Sequence, residues 1–279
     1  MNTVGDELRS LGHRPKKSLG QNFLIDKNIL QKAIDWANPK AGGDIVEIGP
    51  GLGILTEALL KCGANVYAVE YDPTLYQNLR SQLLPKWPNN FHLLHGDAVK
   101  LPRAGFTGQN YKVVANLPYA ISTPWLEGIL RGPLPESMTL LLQRETAQRF
   151  MAANGAKMGA ISVLLNGAFQ TARCHHVPPT CFFPRPKVDS MLVYWEQKSA
   201  PFIFSGRTHA LIRFLFNHRR KQLRGVIQRA KVDANREVLS QWLRSLGNIA
   251  LRAEEITPTQ WQDLEEFSAD LDTGYQARS

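Results

Sequence analysis

Short apolar runs alternate with segments of helical period up to about residue 197. The runs are "DIVEIG" (44–49), "NVYAVE" (65–70), "FHLLHG" (91–96), "YKVVA" (111–115) and "SMTLLLQ" (137–143). Most are rich in β-branched or aromatic residues, which suits strands buried on both faces. Between them "ILTEALLKCG", "PTLYQNLRSQLL" and "TPWLEGILR" read as helices. Gly63 closes the first as a C-cap. Asp72-Pro73 opens the second as a cap followed by proline at the first helical position. Strand–helix–strand repetition predicts a parallel sheet covered on both faces. Two further strands, "TARCHHV" (171–177) and "SMLVYWEQ" (190–197), complete this part.

"KSAPFIFSG" (198–206) reads as a linker. Beyond it the pattern is helical: "RTHALIRFLFNHRRKQLRGVIQRA", then "NREVLSQWLRSLG", then "TPTQWQDLEEFSADL". Ser, Asn and Thr near the starts and glycine after the second helix support these boundaries. The expected fold is an α/β, doubly wound, Rossmann-like sheet in residues 1–200, followed by a small all-helical domain in 201–279.

Composition narrows the setting. With 43% hydrophobic residues in 279, a sizeable core can form. No run of roughly 18 apolar residues is present, so no transmembrane helix and no membrane partner are expected. The N-terminus lacks an apolar signal core. Cys62, Cys174 and Cys181 are odd in number and scattered, which fits a reducing cytoplasm. The net charge of +9 is unevenly spread. Eight Lys or Arg and no Asp or Glu lie between Arg207 and Lys231; beyond that acidic residues outnumber basic ones nine to four. A concentrated basic patch points to a polyanion such as nucleic acid. "HRRKQLR" (218–224) is read as meeting phosphates, with activity weakening as salt rises. His209 and His218 are read as surface or RNA-facing. The N-terminal "HRPKK" (13–17) is read as a further phosphate contact, on a basic arm over residues 1–20 that orders on binding.

The first strand runs into "EIGPGLGILTEAL", with glycines at 49, 51 and 53. A strand, a glycine-rich turn and a helix bring backbone close to a ligand. Ile54 stands where the dinucleotide fingerprint has its third glycine, so a pyrophosphate cofactor fits poorly. Glu70 ends the second strand, where an acidic residue takes ribose hydroxyls in nucleotide-binding folds. Asp97 ends the third, placed to accept a bond from an adenine amino group. A plain structural turn is the alternative, but the shared sheet edge favours a ligand. An adenosine ligand without a pyrophosphate is most simply S-adenosylmethionine.

"VVANLPYAIS" brings chemistry to the same edge. Pro118 fixes its own φ and keeps Leu117 out of helical geometry. The Asn116 side chain and the Leu117 carbonyl then offer two acceptors to one point, with the Tyr119 ring beside them. An exocyclic adenine amine is a poor nucleophile because its lone pair is delocalised. Two hydrogen bonds to its protons favour a more pyramidal nitrogen, and stacking aligns the base. No strong base is needed, since the proton leaves after transfer, and positioning supplies most of the rate.

Four stretches, "KKSLGQNFL" (16–24), "VEIGPGLGILT" (46–56), "NLPY" (116–119) and "FFPRPKVDS" (182–190), occur in an order and spacing that no single motif matches for specificity. In them the chain resembles the small-subunit ribosomal RNA adenine N6,N6-dimethyltransferase family. The resemblance implies methylation, twice each, of two adjacent adenosines in a hairpin loop near the 3′ end of small-subunit RNA, within an assembling small subunit. It implies that Asn22 and Leu24 close over the cofactor, with Gly49, Gly51, Glu70, Asp97 and Asn116 around it. It makes Asn116, Leu117, Tyr119 and Phe182 the catalytic pocket, with Phe183 a rival ring for the target base. Dimethylation adds a demand: after one transfer a single N6 proton remains, and one acceptor loses its partner.

Other readings are weaker. "CHHVPPTC" (174–181) could bind zinc, but neighbours on a strand point to opposite faces, and no metal is expected. A dimethylase of large-subunit RNA that confers antibiotic resistance shares fold and chemistry. A DNA adenine methyltransferase and a non-catalytic RNA-binding assembly factor are more distant rivals. No dimer seam is evident, so a monomer is expected.

Overall fold

Each apolar run named above becomes a strand to within a residue or two. The computed structural model describes residues 3–276. In chain order it forms α1 (Val4–Ser10), β1 (Phe23–Leu24), α2 (Lys27–Ala37), β2 (Asp44–Ile48), α3 (Ile54–Lys61), β3 (Asn65–Glu70), α4 (Pro73–Gln82), β4 (Phe91–His95), β5 (Lys112–Asn116), α5 (Ser122–Ile129), β6 (Ser137–Gln143), α6 (Arg144–Met151), α7 (Ala160–Ala168), β7 (Phe169–Val177), β8 (Phe182–Phe183), β9 (Ser190–Gln197), α8 (Gly206–Phe216), α9 (Leu223–Ile227), α10 (Asp233–Ser245) and α11 (Pro258–Gln276).

Seven strands make one sheet in the order β4-β3-β2-β5-β6-β9-β7. β4, β3, β2, β5 and β6 pair in parallel, whereas β9 runs antiparallel to β6. The sheet is therefore mixed, which corrects the parallel sheet expected from strand–helix repetition. The reason lies in the connection. β9 begins beside the end of β6, with Ser190 opposite Gln143. β9 follows its sheet neighbour β7 through residues 178–189 with no crossover α-helix, the short return typical of antiparallel neighbours. The central strands β2, β5 and β6 are almost wholly buried, as their β-branched runs demand. The edge strands β4 and β7 are largely exposed. Between β2 and β5 the strand order reverses, which places a crevice at their carboxyl ends.

A second, two-stranded ribbon was not foreseen. β1 pairs antiparallel with β8, Phe23 opposite Phe183 and Leu24 opposite Phe182. α2 follows β1 directly, capped by Asp26, whose carboxylate accepts from the backbone of Asn28 at 2.8 Å and Ile29 at 3.0 Å. Removing this cap in Asp26→Ala is expected to destabilise the sheet-bearing unit by about 1 kcal/mol, read as a lower denaturant midpoint.

The chain divides into two compact units. The first comprises the chain up to Ala147 together with Gln170–Gln197; the second comprises Gln148–Phe169 and everything from Lys198 onward. The chain enters the second unit for the last time at Lys198. The segment 148–169, read from sequence as part of the large domain, joins the second unit instead. Its helix α7 packs on α8 and α11, and Gly167 lets the Phe202 carbonyl and the Phe204 ring approach to 3.0 Å of where a Cβ would sit. In the same unit Trp242 stacks on Trp261 with ring centroids 5.3 Å apart, and both are fully buried.

The long helix expected over 207–230 is broken. α8 ends at Phe216, the chain turns, and α9 begins at Leu223. His218, Arg219, Arg220 and Lys221 lie in the turn between the two helices. Arg219 leaves that run to donate to the Ala156 carbonyl and to pair with Glu254 at 3.1 Å. Among the described residues no helix is long and apolar enough to cross a membrane.

Candidate functional site

The crevice at the switch point is filled in from three sides. β2 delivers the glycine loop, β3 delivers Glu70, β4 leads to Asp97, and β5 ends in Asn116. The segment before β1 closes the remaining side. Together they enclose a cavity of about 310 Å3. Asn22, Leu24, Gly49, Gly51, Glu70, Asp97, Asn116, Leu117 and Tyr119 all line it. Nine of the residues singled out from sequence therefore meet around one space.

Two glycines make that meeting possible. Gly49 has φ +63°, and a Cβ there would lie 3.3 Å from Pro118 Cγ. Gly51 has φ +63°, and a Cβ there would lie 3.1 Å from the Phe23 ring. A side chain at either position would be strained in its backbone. It would also push away the "NLPY" turn or β1.

Asn116 is oriented by its own chemistry. Its Nδ2 donates to the Asn22 carbonyl at 2.8 Å. A carbonyl oxygen accepts only from the NH2 end, so Oδ1 is the end left to act as acceptor. The Leu117 nitrogen donates to the Leu141 carbonyl at 3.1 Å, fixing the Asn116–Leu117 peptide. A short 3-10 turn then carries Tyr119. The Tyr119 hydroxyl lies 3.0 Å from Ser190 Oγ, which ties the "NLPY" turn to the end of "FFPRPKVDS". Burial pushes the Tyr119 phenol above its usual range, so it stays neutral.

The carboxylates differ sharply in surroundings. Glu70 accepts from Gly51 N at 3.0 Å and from Asp72 N at 2.8 Å. Burial raises its pKa, and those backbone donors oppose the rise. Asp97 caps its own turn by accepting from Val99 N at 2.9 Å. Glu47 lies in the middle of β2's buried run, 1% exposed, and also lines the cavity. Thr56 lies near enough to temper it, yet neither its hydroxyl nor Glu47 Oε2 meets hydrogen-bond geometry with any partner. Burial, aided by the charge of Glu70, pushes the Glu47 carboxyl up to about 8. The reading of the sequence missed Glu47. The signal was there: a lone carboxylate inside the apolar run "DIVEIG".

Several expected residues stand elsewhere. Phe182 is 3% exposed and packs with Ile29, Leu141 and Leu192, outside the cavity lining. Phe183, its neighbour on β8, is 40% exposed. Strand alternation sends the two rings to opposite faces. His209 is buried, not on the surface as expected. His176 approaches Asp189 at 3.2 Å, and Arg144 pairs with the same carboxylate at 3.4 Å. In the basic run of the second unit, Arg220, Lys221, Arg224, Arg229 and Lys231 are exposed, while Arg219 is held within the fold. The N-terminal segment, expected as an arm that orders on binding, has defined structure here. α1 is closed by a Thr3–Asp6 capping box, and Leu8 is buried against Phe23, Leu52 and Leu75.

A family model described as ribosomal RNA adenine dimethylase matches residues 12–270. A ribosomal RNA small subunit methyltransferase A from Opitutus terrae is 48% identical over 263 residues, 92% of this chain and 95% of that one. Among solved structures, a dimethyladenosine transferase from Plasmodium falciparum has a TM-score of 0.73 at 24% identity, covering 88% of this chain and 98% of that chain. The 23S rRNA methyltransferase ErmE has a TM-score of 0.63 at 24% identity, covering 88% and 99%. The two structures share the fold.

Proposed function

The chain belongs to the ribosomal RNA adenine dimethylase family, and from that premise we infer that it methylates the N6 of adenosines in small-subunit ribosomal RNA. S-adenosylmethionine, when bound, supplies the methyl group on a positively charged sulfur. The cavity suits it. Gly49 and Gly51 keep the loop backbone bare, Glu70 and Asp97 stand at neighbouring strand ends, and Glu47 Oε2 is an unpartnered oxygen for an ammonium group.

The observation that carries the reading is the fixed amide of Asn116. With Nδ2 held by Asn22, Oδ1 is committed to accepting. An adenine amine offers two protons, one to Asn116 Oδ1 and one to the Leu117 carbonyl. Tyr119, held through Ser190, offers its ring face to the base. The target must leave its stack to reach this depth. Phe183, exposed beside Phe182, is the ring better placed to meet it at the surface. The finer substrate is the pair of adjacent adenosines in a hairpin loop near the RNA's 3′ end, recognised in an assembling subunit. The exposed cations of α9 and the preceding turn hold RNA phosphates. The protein acts as a cytoplasmic monomer.

The test is methyl transfer from labelled S-adenosylmethionine to under-methylated small subunits, large-subunit RNA and duplex DNA, with product nucleosides identified. N6,N6-dimethyladenosine on small subunits alone is expected. Label on large-subunit RNA would move the chain to the ErmE-like activity. No label with intact cofactor binding would leave an assembly factor.

A further inference from the structure

We infer that Lys16 is a positioning residue of the cofactor cavity, latching the N-terminal segment through Asp72 to the carboxylate of Glu70, and is not a phosphate contact. The inference rests on the cofactor reading above. From sequence, Lys16 sits in the basic run "HRPKK" and looks like any cation waiting for RNA. Its geometry is different. Lys16 Nζ lies 2.7 Å from Asp72 Oδ2, a carboxylate with no solvent exposure at all.

Asp72 is shared among three structures. Its Oδ1 accepts from the first turn of α4, Thr74 N at 3.0 Å and Leu75 N at 3.3 Å. Its Oδ2 accepts from Lys16 and from Gln21 Nε2 at 3.3 Å. Its backbone nitrogen donates to Glu70 Oε1 at 2.8 Å, and the other oxygen of Glu70 accepts from Gly51 in the glycine loop. Gln21 closes the network, because its Oε1 accepts from Lys16 N at 2.8 Å and lies 3.1 Å from His13 Nε2. His13 Nδ1 approaches Asp72 at 3.8 Å.

The segment between is tied at both ends. Lys16 fixes one end beside Glu70, and the Asn22 carbonyl fixes the other on Asn116. Ser18 to Asn22, in between, line the cavity. Without Lys16, Asp72 would keep a buried charge with its strongest counter-charge gone. A buried carboxylate in that state draws in water and loosens what packs on it. The loosened elements are the wall of the cavity and the Asp72–Glu70 bond. RNA phosphates play no part in that chain of effects.

The experiment measures two affinities on the full chain, for S-adenosylmethionine by calorimetry and for small-subunit RNA by filter binding across salt. The variants are Lys16→Met, Lys16→Arg and Lys17→Met, with melting temperatures recorded. Lys16→Met is expected to weaken the cofactor at least about fivefold, with an RNA salt slope equal to wild type. Lys16→Arg is expected to restore most of the cofactor affinity, and Lys17→Met to leave it unchanged. A reduced RNA salt slope in Lys16→Met, with cofactor affinity intact, makes Lys16 a phosphate contact and overturns the inference. A joint fall of both affinities and of the melting temperature makes it a folding residue and overturns it equally. Wild-type protein that binds no S-adenosylmethionine would sink the cofactor reading itself, a separate result.

Discussion

Asn116→Ala is expected to lower kcat for methyl transfer on the order of 10³-fold while leaving the protein folded. Removing one preorganised polar partner of a transition state costs about 10²–10³ in rate, and Asn116 also positions the nucleophile, which adds to that loss. The side chain is only half-buried and makes one hydrogen bond, to Asn22, so the melting temperature should barely move. The effect should fall mainly on kcat, because the base can still enter and stack on Tyr119. Affinity for S-adenosylmethionine should weaken less, through loss of the Asn22 tether. Asn116→Asp separates the two roles. It keeps an acceptor but replaces the Nδ2 donor with a second oxygen, which faces the Asn22 carbonyl unfavourably. Activity between wild type and alanine is the expected result. Single-turnover rates on under-methylated small subunits check both variants. Near-normal turnover by Asn116→Ala would mean that the amide does not hold the reacting amine.

The parts of this site that lie within one strand and its following turn were legible in the sequence. Glu70 and Asp97 could be placed because the apolar runs end where they stand. The bare backbone at Gly49 and Gly51 followed from glycine itself. The parts missed depend on distant residues. The β1–β8 ribbon joins Leu24 to Phe182 through two residues on each side, too few to leave a periodic signal. That pairing determines that Phe182 faces the core and Phe183 faces outward. The antiparallel β9 was missed because its own sequence is that of any buried strand, and direction is set by the loop that feeds it. The Lys16–Asp72 pair could not be read because a basic run looks the same whether it meets phosphate or a buried carboxylate. Only the fold brings Asp72 to it.

The stability of wild type relative to Glu47→Gln is expected to fall as pH rises from about 4.5 to about 8. In the unfolded chain Glu47 has the ordinary value of 4.5, and in the folded chain burial holds it at about 8. Below 4.5 both states keep the proton and the group contributes nothing to the slope. Between the two values the unfolded chain has released its proton and the folded chain has not. The unfolded state then binds fewer protons, so stability declines with pH; above about 8 the decline levels off. At about 1.4 kcal/mol per pH unit, the loss reaches about 3 kcal/mol by neutral pH. Glutamine has nearly the same shape and no proton to release, so the variant should lack this slope and be the more stable of the two at pH 8. Chemical denaturation at pH 5, 6, 7 and 8, taken as the difference between the two proteins, isolates this group because the other titrations cancel. Parallel curves would show that Glu47 titrates normally. The same variant should bind S-adenosylmethionine more weakly, since an ammonium group beside Glu47 favours loss of its proton and pairs with the carboxylate that forms, and an amide cannot ionise. A buried acid that weakens the fold at neutral pH, with its Oε2 unpartnered at a cavity wall, is best explained by a ligand that supplies the missing partner. Gain in stability with loss of cofactor affinity, in one substitution, is the joint result that this explanation requires.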